Sequence, residues 1–365
     1  MIYLDHAATT KPTKVAIDAF LRCCENFGNP SSLHQAGIDA EREVSSARKA
    51  LSSIIGAKPN EIFFTSGGTE ANNLAIFGAA KKPKGRRIIT TRSEHPSVLA
   101  PLAKLAEKGD FEICYFSNID ELRPALSEQT CLVSTYHINN ETGSIQDIAE
   151  IGNIIKQISP STLFHVDAAQ SFCKFSIDVY AAKIDLMTLS AHKIGGFKGC
   201  GALYIKNGVS IHPMIWGGGQ EGGLRSGTEN VGGIAAFAAT ALDFWQNTKE
   251  NFDHALALSK KLCELLGTVD GISFNNKNTS PYILDIDIKK VRSEVLVNAL
   301  SSKGVFVSSG AACSAGKKLK TSQRSETALR ISFGTDNTLE EIEKAANALI
   351  ECIDVLRKSA QISRR

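Results

Sequence analysis

Ser190-Ala191-His192-Lys193 follows the run Lys183-Ile-Asp-Leu-Met-Thr-Leu189 and precedes Gly195, Gly196 and Gly199. The run reads as a buried strand, and the glycines as the turn that ends it. A lysine at the end of a buried strand stands where its charge is costly. Desolvation there favours the neutral amine that can form a Schiff base. Ser190 and His192 beside it are suited to holding a phosphate. Taken alone, these four residues read more simply as a solvated lysine in a glycine-rich turn. The motifs on either side reverse that balance.

Upstream, Glu61-Ile-Phe-Phe-Thr65, Arg87-Ile-Ile-Thr-Thr91, Glu112 to Phe116, Thr130 to Tyr136 and Leu163-Phe-His-Val-Asp167 also read as strands. Gly201-Ala-Leu-Tyr-Ile205 is the next one downstream. Helical patterns lie between most of them, which indicates an α/β layer with a largely parallel or mixed sheet. Thr69, His95, Asn140, Asp167, His192 and Lys193 all come just after strands, at the sheet edge where such folds bind ligands. Ser66-Gly67-Gly68-Thr69-Glu70 joins a strand to the helix Ala71 to Phe77, an arrangement that aims backbone N–H groups at an anion. It is neither GxGxxG nor GxxxxGK, so a dinucleotide fold and a P-loop are not the first choices. An ordinary βα turn is its plain alternative.

Lys14 to Phe27 is helical in pattern. A second helix, with a capping serine in Ser31-Ser32-Leu33-His34, runs to about Ile55. The glycine-rich stretch Trp216 to Thr228 needs a reason to be ordered, such as a partner subunit or a ligand, and a mobile surface loop is its plain alternative. A long helical region from Ala235 to Leu266 leads into a second domain. That domain has strands at Tyr282 to Ile288 and Val305 to Ser308, a helix near Glu294 to Lys303 between them, and a C-terminal helix from Leu339 to Leu356.

The 365 residues are 43% hydrophobic, enough for one large or two modest cores. A net charge of +3 carries no nucleic-acid signature. Ile234 to Leu242, among the most apolar stretches, is too short to span a bilayer. The nine cysteines form no CxxC pair, so neither a metal site nor a disulfide framework is expected. Free thiols in the cytosol are the expectation.

Together these motifs resemble the cysteine desulfurases of the NifS/IscS type, within the class V aminotransferases. The marks are Asn29-Pro-Ser-Ser-Leu-His34, Thr65-Ser-Gly-Gly-Thr-Glu70, Glu94-His-Pro-Ser-Val98, Asn139-Asn-Glu141 with Gly143, and His165-Val-Asp-Ala-Ala-Gln170. Ser190-Ala-His-Lys193, Gly217-Gly-Gly-Gln-Glu221, Arg225-Ser-Gly-Thr228 and Ser308-Ser-Gly-Ala-Ala-Cys313-Ser complete the set. The resemblance runs from Tyr3 to about Leu349. It implies the aspartate-aminotransferase-like fold type I of pyridoxal-phosphate (PLP) enzymes. This fold has a large domain (15–245) built on a mostly parallel seven-stranded sheet. A small α+β domain (1–14 and 246–365) would carry the catalytic cysteine loop.

The same resemblance implies roles for individual residues. Lys193 would hold PLP as a Schiff base and later move the substrate's Cα proton. Asp167 would pair with the pyridinium nitrogen, Gln170 would bond the phenolic oxygen, and His95 would stack on the ring and take part in catalysis. Gly68, Thr69, Ser190 and His192 would bind the phosphate, and Thr228 would reach it from the neighbouring subunit of a homodimer. Asn140 and Arg330 would hold the carboxylate of L-cysteine. For Arg330, on the alternating strand Ala328 to Phe333, a structural ion pair is the plainer alternative. Cys313, in a small-residue loop with nearby cations that favour thiolate, would take the sulfur as a persulfide, leaving L-alanine. The persulfide would pass to an acceptor such as an iron–sulfur scaffold protein or a thio-modification pathway. The other eight cysteines read as small buried apolar residues. A selenocysteine lyase or another PLP-dependent lyase or aminotransferase is the alternative enzyme. A degenerate, partner-binding paralogue is the alternative without catalysis.

Three features depart from the family's pattern. Phe197 stands where relatives usually have proline, and His6 where they commonly have asparagine. The segment between Cys313 and Arg330 is shorter than usual for this cysteine motif, which bears on sulfur delivery more than on PLP chemistry.

Overall fold

A computed structural model of the chain describes residues 1–80, 85–275, 277–310 and 325–362. The chain divides into two units. One comprises Lys11–His137 and Gln146–Thr248, and the other Met1–Thr10, Ile138–Ile145 and Lys249–Arg365.

The larger unit is built on a seven-stranded sheet. Its order is Ile62–Thr65, Gly201–Ile205, Leu186–Ser190, Leu163–Asp167, Thr130–Tyr136, Arg87–Thr90 and Glu112–Tyr115. Six strands run the same way, and Gly201–Ile205 opposes both its neighbours. Thr130–Tyr136, Leu163–Asp167, Leu186–Ser190 and Gly201–Ile205 are buried at every residue. A sheet covered on both faces needs such unbroken runs, and this is why they lack polar alternation. The reversed strand places Lys193 in the connection, residues 191–200, between two antiparallel neighbours. Gly195 in that connection has φ +92°, and a Cβ there would lie 2.5 Å from Thr13 Cγ2. A Cβ on Gly201 would lie 2.7 Å from Gly67 Cα, so the reversed strand presses directly on the Ser66–Thr69 turn. Phe197 packs its ring on Phe20 of helix Lys14–Glu25, with centroids 4.9 Å apart, which gives the unusual aromatic residue a packing role.

Two expectations about helices need correction. Helix Gln35–Ile54 is capped by His34, whose Nδ1 accepts from Gly37 N at 3.3 Å, and not by a serine. The single helical region from Ala235 is in fact two helices, Val231–Gln246 and Thr248–Leu266. The break falls at Asn247. There the Thr248 hydroxyl bonds the carbonyls of Trp245 (2.9 Å) and Cys173 (3.0 Å), competing with the helical ladder.

The smaller unit has a four-stranded antiparallel sheet in the order Ser308–Ser309, Ala328–Ser332, Ile283–Ile288 and Ile272–Asn275. Ile2–Tyr3 pairs in parallel with Val305–Phe306. Leu258, Leu262 and Leu266 recur at helical spacing and share a buried core with Leu284, Ile286, Leu296, Leu329, Ile331 and Leu349. Among the described residues no helix is long and apolar enough to cross a membrane. The eight described cysteines are all free.

Candidate active site

In the larger unit the strand ends deliver the site. Asp167, the last residue of its strand, is 7% exposed. Its Oδ2 accepts from Asn72 Nδ2 at 2.8 Å and its Oδ1 from Ala169 N at 2.9 Å. Both carboxylate oxygens therefore have hydrogen-bond donors in the folded chain. Asn72 lies on helix Gly68–Ala79, on a face otherwise lined by Ala71, Ala75, Ile76 and Ala79. A lone amide on such an apolar face requires partners.

The same amide nitrogen donates to Ser97 Oγ at 2.8 Å. Ser97 Oγ lies 2.7 Å from His95 Nδ1, which also accepts from Ser97 N at 3.1 Å. His95 is the N-cap of helix Pro96–Glu107, and its ring is exposed. Loss of water on its inner side, followed by the charge of Lys193, lowers its pKa against the opposing pull of Asp167. Beside it, burial pushes Glu94 up to about 8, with the Asp167 charge adding to the shift.

The start of helix Gly68–Ala79 is open. Its N-cap, Gly67, offers no side-chain bond to the helix N–H groups. The Ser190 hydroxyl is buried and has no hydrogen-bond partner among the described residues. A Cβ on Gly68 would lie 3.6 Å from Ser190 Cβ, so the hydroxyl and the open helix end are neighbours. His192 is pushed down to about 4, first by burial and then by Lys193 and Lys198, and is neutral at physiological pH. An orphaned buried hydroxyl beside free N–H groups fits a phosphate, and Asp167 fits a cationic ring nitrogen. Gln170 is buried just after Asp167. Thr69, Asn73, His95, Ser97 and Lys104 line one groove of about 490 Å³.

Thr228 is exposed at the end of the glycine-rich loop. Within the chain, side chains of this loop and its neighbours hold it in place. Glu221 pairs with Arg48, Arg225 Nε with Glu70 at 3.0 Å, and Gln220 Oε1 accepts from Gly227 N at 2.9 Å.

Asn140 and Arg330 fall in the smaller unit, so Asn140 does not share a unit with the other strand-end candidates. Arg330 NH1 donates to the Asn140 carbonyl at 2.8 Å. Its NH2 donates to Asp5 Oδ1 at 2.8 Å and Ser308 Oγ at 3.0 Å, and Ser308 Oγ donates to the same Asp5 oxygen at 2.8 Å. The ion-pair alternative is thus realised with Asp5, while Arg330 Nε is buried without a partner among the described residues. Cys313 lies outside the described residues.

The profile of the aminotransferase class-V family matches residues 2–345. The chain belongs to that family. Its cofactor is PLP. The chain is 36% identical to the cysteine desulfurase IscS of Methanosarcina thermophila, over 99% of this chain and 94% of that one. A solved NifS-like protein superposes with TM-score 0.90 at 34% identity, covering 97% of this chain and 99% of its own. SspA, solved in complex with cysteine, superposes with TM-score 0.77 at 31% identity, covering 91% and 98%.

Asn72, Ser97 and Asp5 are functional candidates that the strand-end reading passes over. Asn72 carries a detectable signal, a polar residue on the apolar stripe of a helix. Asp5 carries none, since its partner Arg330 is 325 residues away.

Proposed function

We propose that this chain is a PLP-dependent L-cysteine desulfurase that forms L-alanine and a persulfide on Cys313. The observation that carries this reading is the pairing of the buried, doubly bonded Asp167 carboxylate with the open helix end beside Ser190. The names of relatives similar along nearly the whole chain support the substrate.

PLP, when bound, supplies an electron sink for charge that develops at the substrate's Cα. The protein's residues do the rest. Asp167, fixed by Asn72 and Ala169, keeps a proton on the ring nitrogen. The N–H groups of Gly68 and Thr69, with Ser190 and His192, hold the phosphate, and Gln170 holds the phenolic oxygen. His95 covers the ring. Lys193 anchors the cofactor and then carries the Cα proton. Arg330 and Asn140 orient the substrate carboxylate. The Cys313 thiolate takes the sulfur and hands it to an acceptor protein, for iron–sulfur assembly or thio-modification.

A homodimer completes this reading, with Thr228 reaching the neighbour's phosphate. Met214, Ile215 and Trp216 on the same loop are exposed, Trp216 to 79%, and such apolar surface suits a subunit contact. The deciding experiment is mass spectrometry after addition of L-cysteine. A mass gain of one sulfur on the Cys313 peptide is expected, and Cys313→Ala should bind cysteine yet form almost no alanine. Full alanine production by that variant would refute the persulfide route.

A further inference from the structure

Asn72 stands between the two groups assigned to the cofactor ring, and each of its amide protons has a separate destination. Asp167 can only accept, so the Asn72 atom facing it at 2.8 Å must be the nitrogen. The second proton goes to Ser97 Oγ, also at 2.8 Å. Ser97 Oγ then accepts from Asn72 and has its own proton to give, and His95 Nδ1 lies 2.7 Å away. The backbone agrees, because Ser97 N–H points at the same Nδ1 from the first turn of the helix that His95 caps. A nitrogen that accepts from an N–H cannot carry a proton of its own.

We propose that Asn72 is a positioning residue whose amide, through Ser97, locks His95 as the neutral tautomer protonated on Nε2, with Nδ1 masked. Asp167 and His95 are thereby set by one side chain. Any proton that His95 exchanges with a substrate passes through Nε2, which makes no hydrogen bond within the described protein. Charging the ring would require a proton on Nδ1, and both Ser97 donors oppose it. The charged groups facing the ring are Asp167, which favours the cation, and Lys193, which disfavours it; Lys104 lines the same groove. The assignment of these groups to a cofactor rests on the function proposed above, but the tautomer does not.

The test is nitrogen NMR of the full-length protein labelled with ¹⁵N-histidine, with and without PLP. Wild type should show His95 with a proton bonded to Nε2 alone and an accepting Nδ1, in both forms. In Asn72→Leu the Ser97 hydroxyl is free to turn and accept, so the midpoint of His95 titration should rise by about one pH unit. Ser97→Ala, a smaller change with less risk to folding, should raise it in the same direction. A proton on Nδ1 in wild type, or an unmoved midpoint in both variants, would overturn the relay. The absorption of bound PLP in Asp167→Asn reports separately on the site assignment, so the two ideas can fail independently.

Discussion

Glu221 and Arg48 meet as a bidentate pair, with NH1 to Oε2 at 2.8 Å and NH2 to Oε1 at 2.9 Å. The Glu221 side chain is 3% exposed, and its backbone has φ +50°, an uncommon conformation for glutamate. Oε2 also accepts from Phe64 N at 2.9 Å. One carboxylate therefore fastens the glycine-rich loop to the strand that feeds the Ser66–Thr69 turn.

Removing the guanidinium strands that carboxylate inside the protein. Arg48→Met should destabilise the larger unit by on the order of 3 kcal/mol, the usual cost of an uncompensated buried charge. It should also loosen PLP, because the loop carrying Thr228 loses its anchor. Thermal melts and dialysis against a PLP-free buffer check both effects. An unchanged melting temperature would show that the pair is dispensable.

Asp167→Asn keeps the shape but removes the charge proposed to retain a proton on the ring nitrogen. Turnover should fall roughly 10²-fold or more, a loss typical of a misplaced electrostatic partner. PLP should also bind more weakly. Steady-state kinetics with saturating PLP separates the two effects. Lys193→Ala should lose the visible absorption of covalently bound cofactor altogether.

Glu94 gives a prediction in pH. Burial raises its carboxyl to about 8 in the folded chain, against an ordinary value of 4.5. The folded state holds a proton that the unfolded state has lost across that window. Glu94 therefore contributes stability below about 4.5 that declines as pH rises towards about 8. Glu94→Gln, which is neutral throughout, should gain on wild type as pH increases. Its melting temperature relative to wild type should be several degrees higher at pH 8 than at pH 5. A difference independent of pH would mean that Glu94 is not protonated in the fold.

Arg330→Lys tests the substrate side. A lysine cannot reproduce the planar fork that reaches Asn140 and Asp5 and is proposed to hold the substrate carboxylate. The KM for L-cysteine should rise roughly 10- to 100-fold, with a smaller fall in kcat. An unchanged KM would leave Arg330 as a purely structural partner of Asp5.

Much of this arrangement is legible in the sequence. Thr130–Tyr136, Leu163–Asp167 and Gly201–Ile205 can be read residue for residue, and Leu186–Ser190 overlaps the run read from Lys183 to Leu189. Strands buried on both faces leave unbroken apolar runs, and glycines mark where they stop. The edge strand Ile272–Asn275 is not legible, since its alternate residues are exposed and the run is short. His34 escapes as a helix cap because histidine is seldom expected there. The links from Asn72 to Ser97 and from Asp5 to Arg330 are invisible for a different reason. Local pattern reports which face a residue occupies, and these partners meet only once distant elements have packed.

The bond between Asp5 and Arg330 also constrains how the chain folds as it is made. Residues 11–248 hold all the sheet strands of the larger unit, and that unit can close while the ribosome is still extending the chain. The smaller unit opens with the first ten residues yet must wait for Ala328–Ser332 to emerge before Asp5 finds its cation. Until then the first strand, Ile2–Tyr3, lacks its partner Val305–Phe306 as well. Residues 1–10, made well before these partners, are thus among the last to reach their native neighbours.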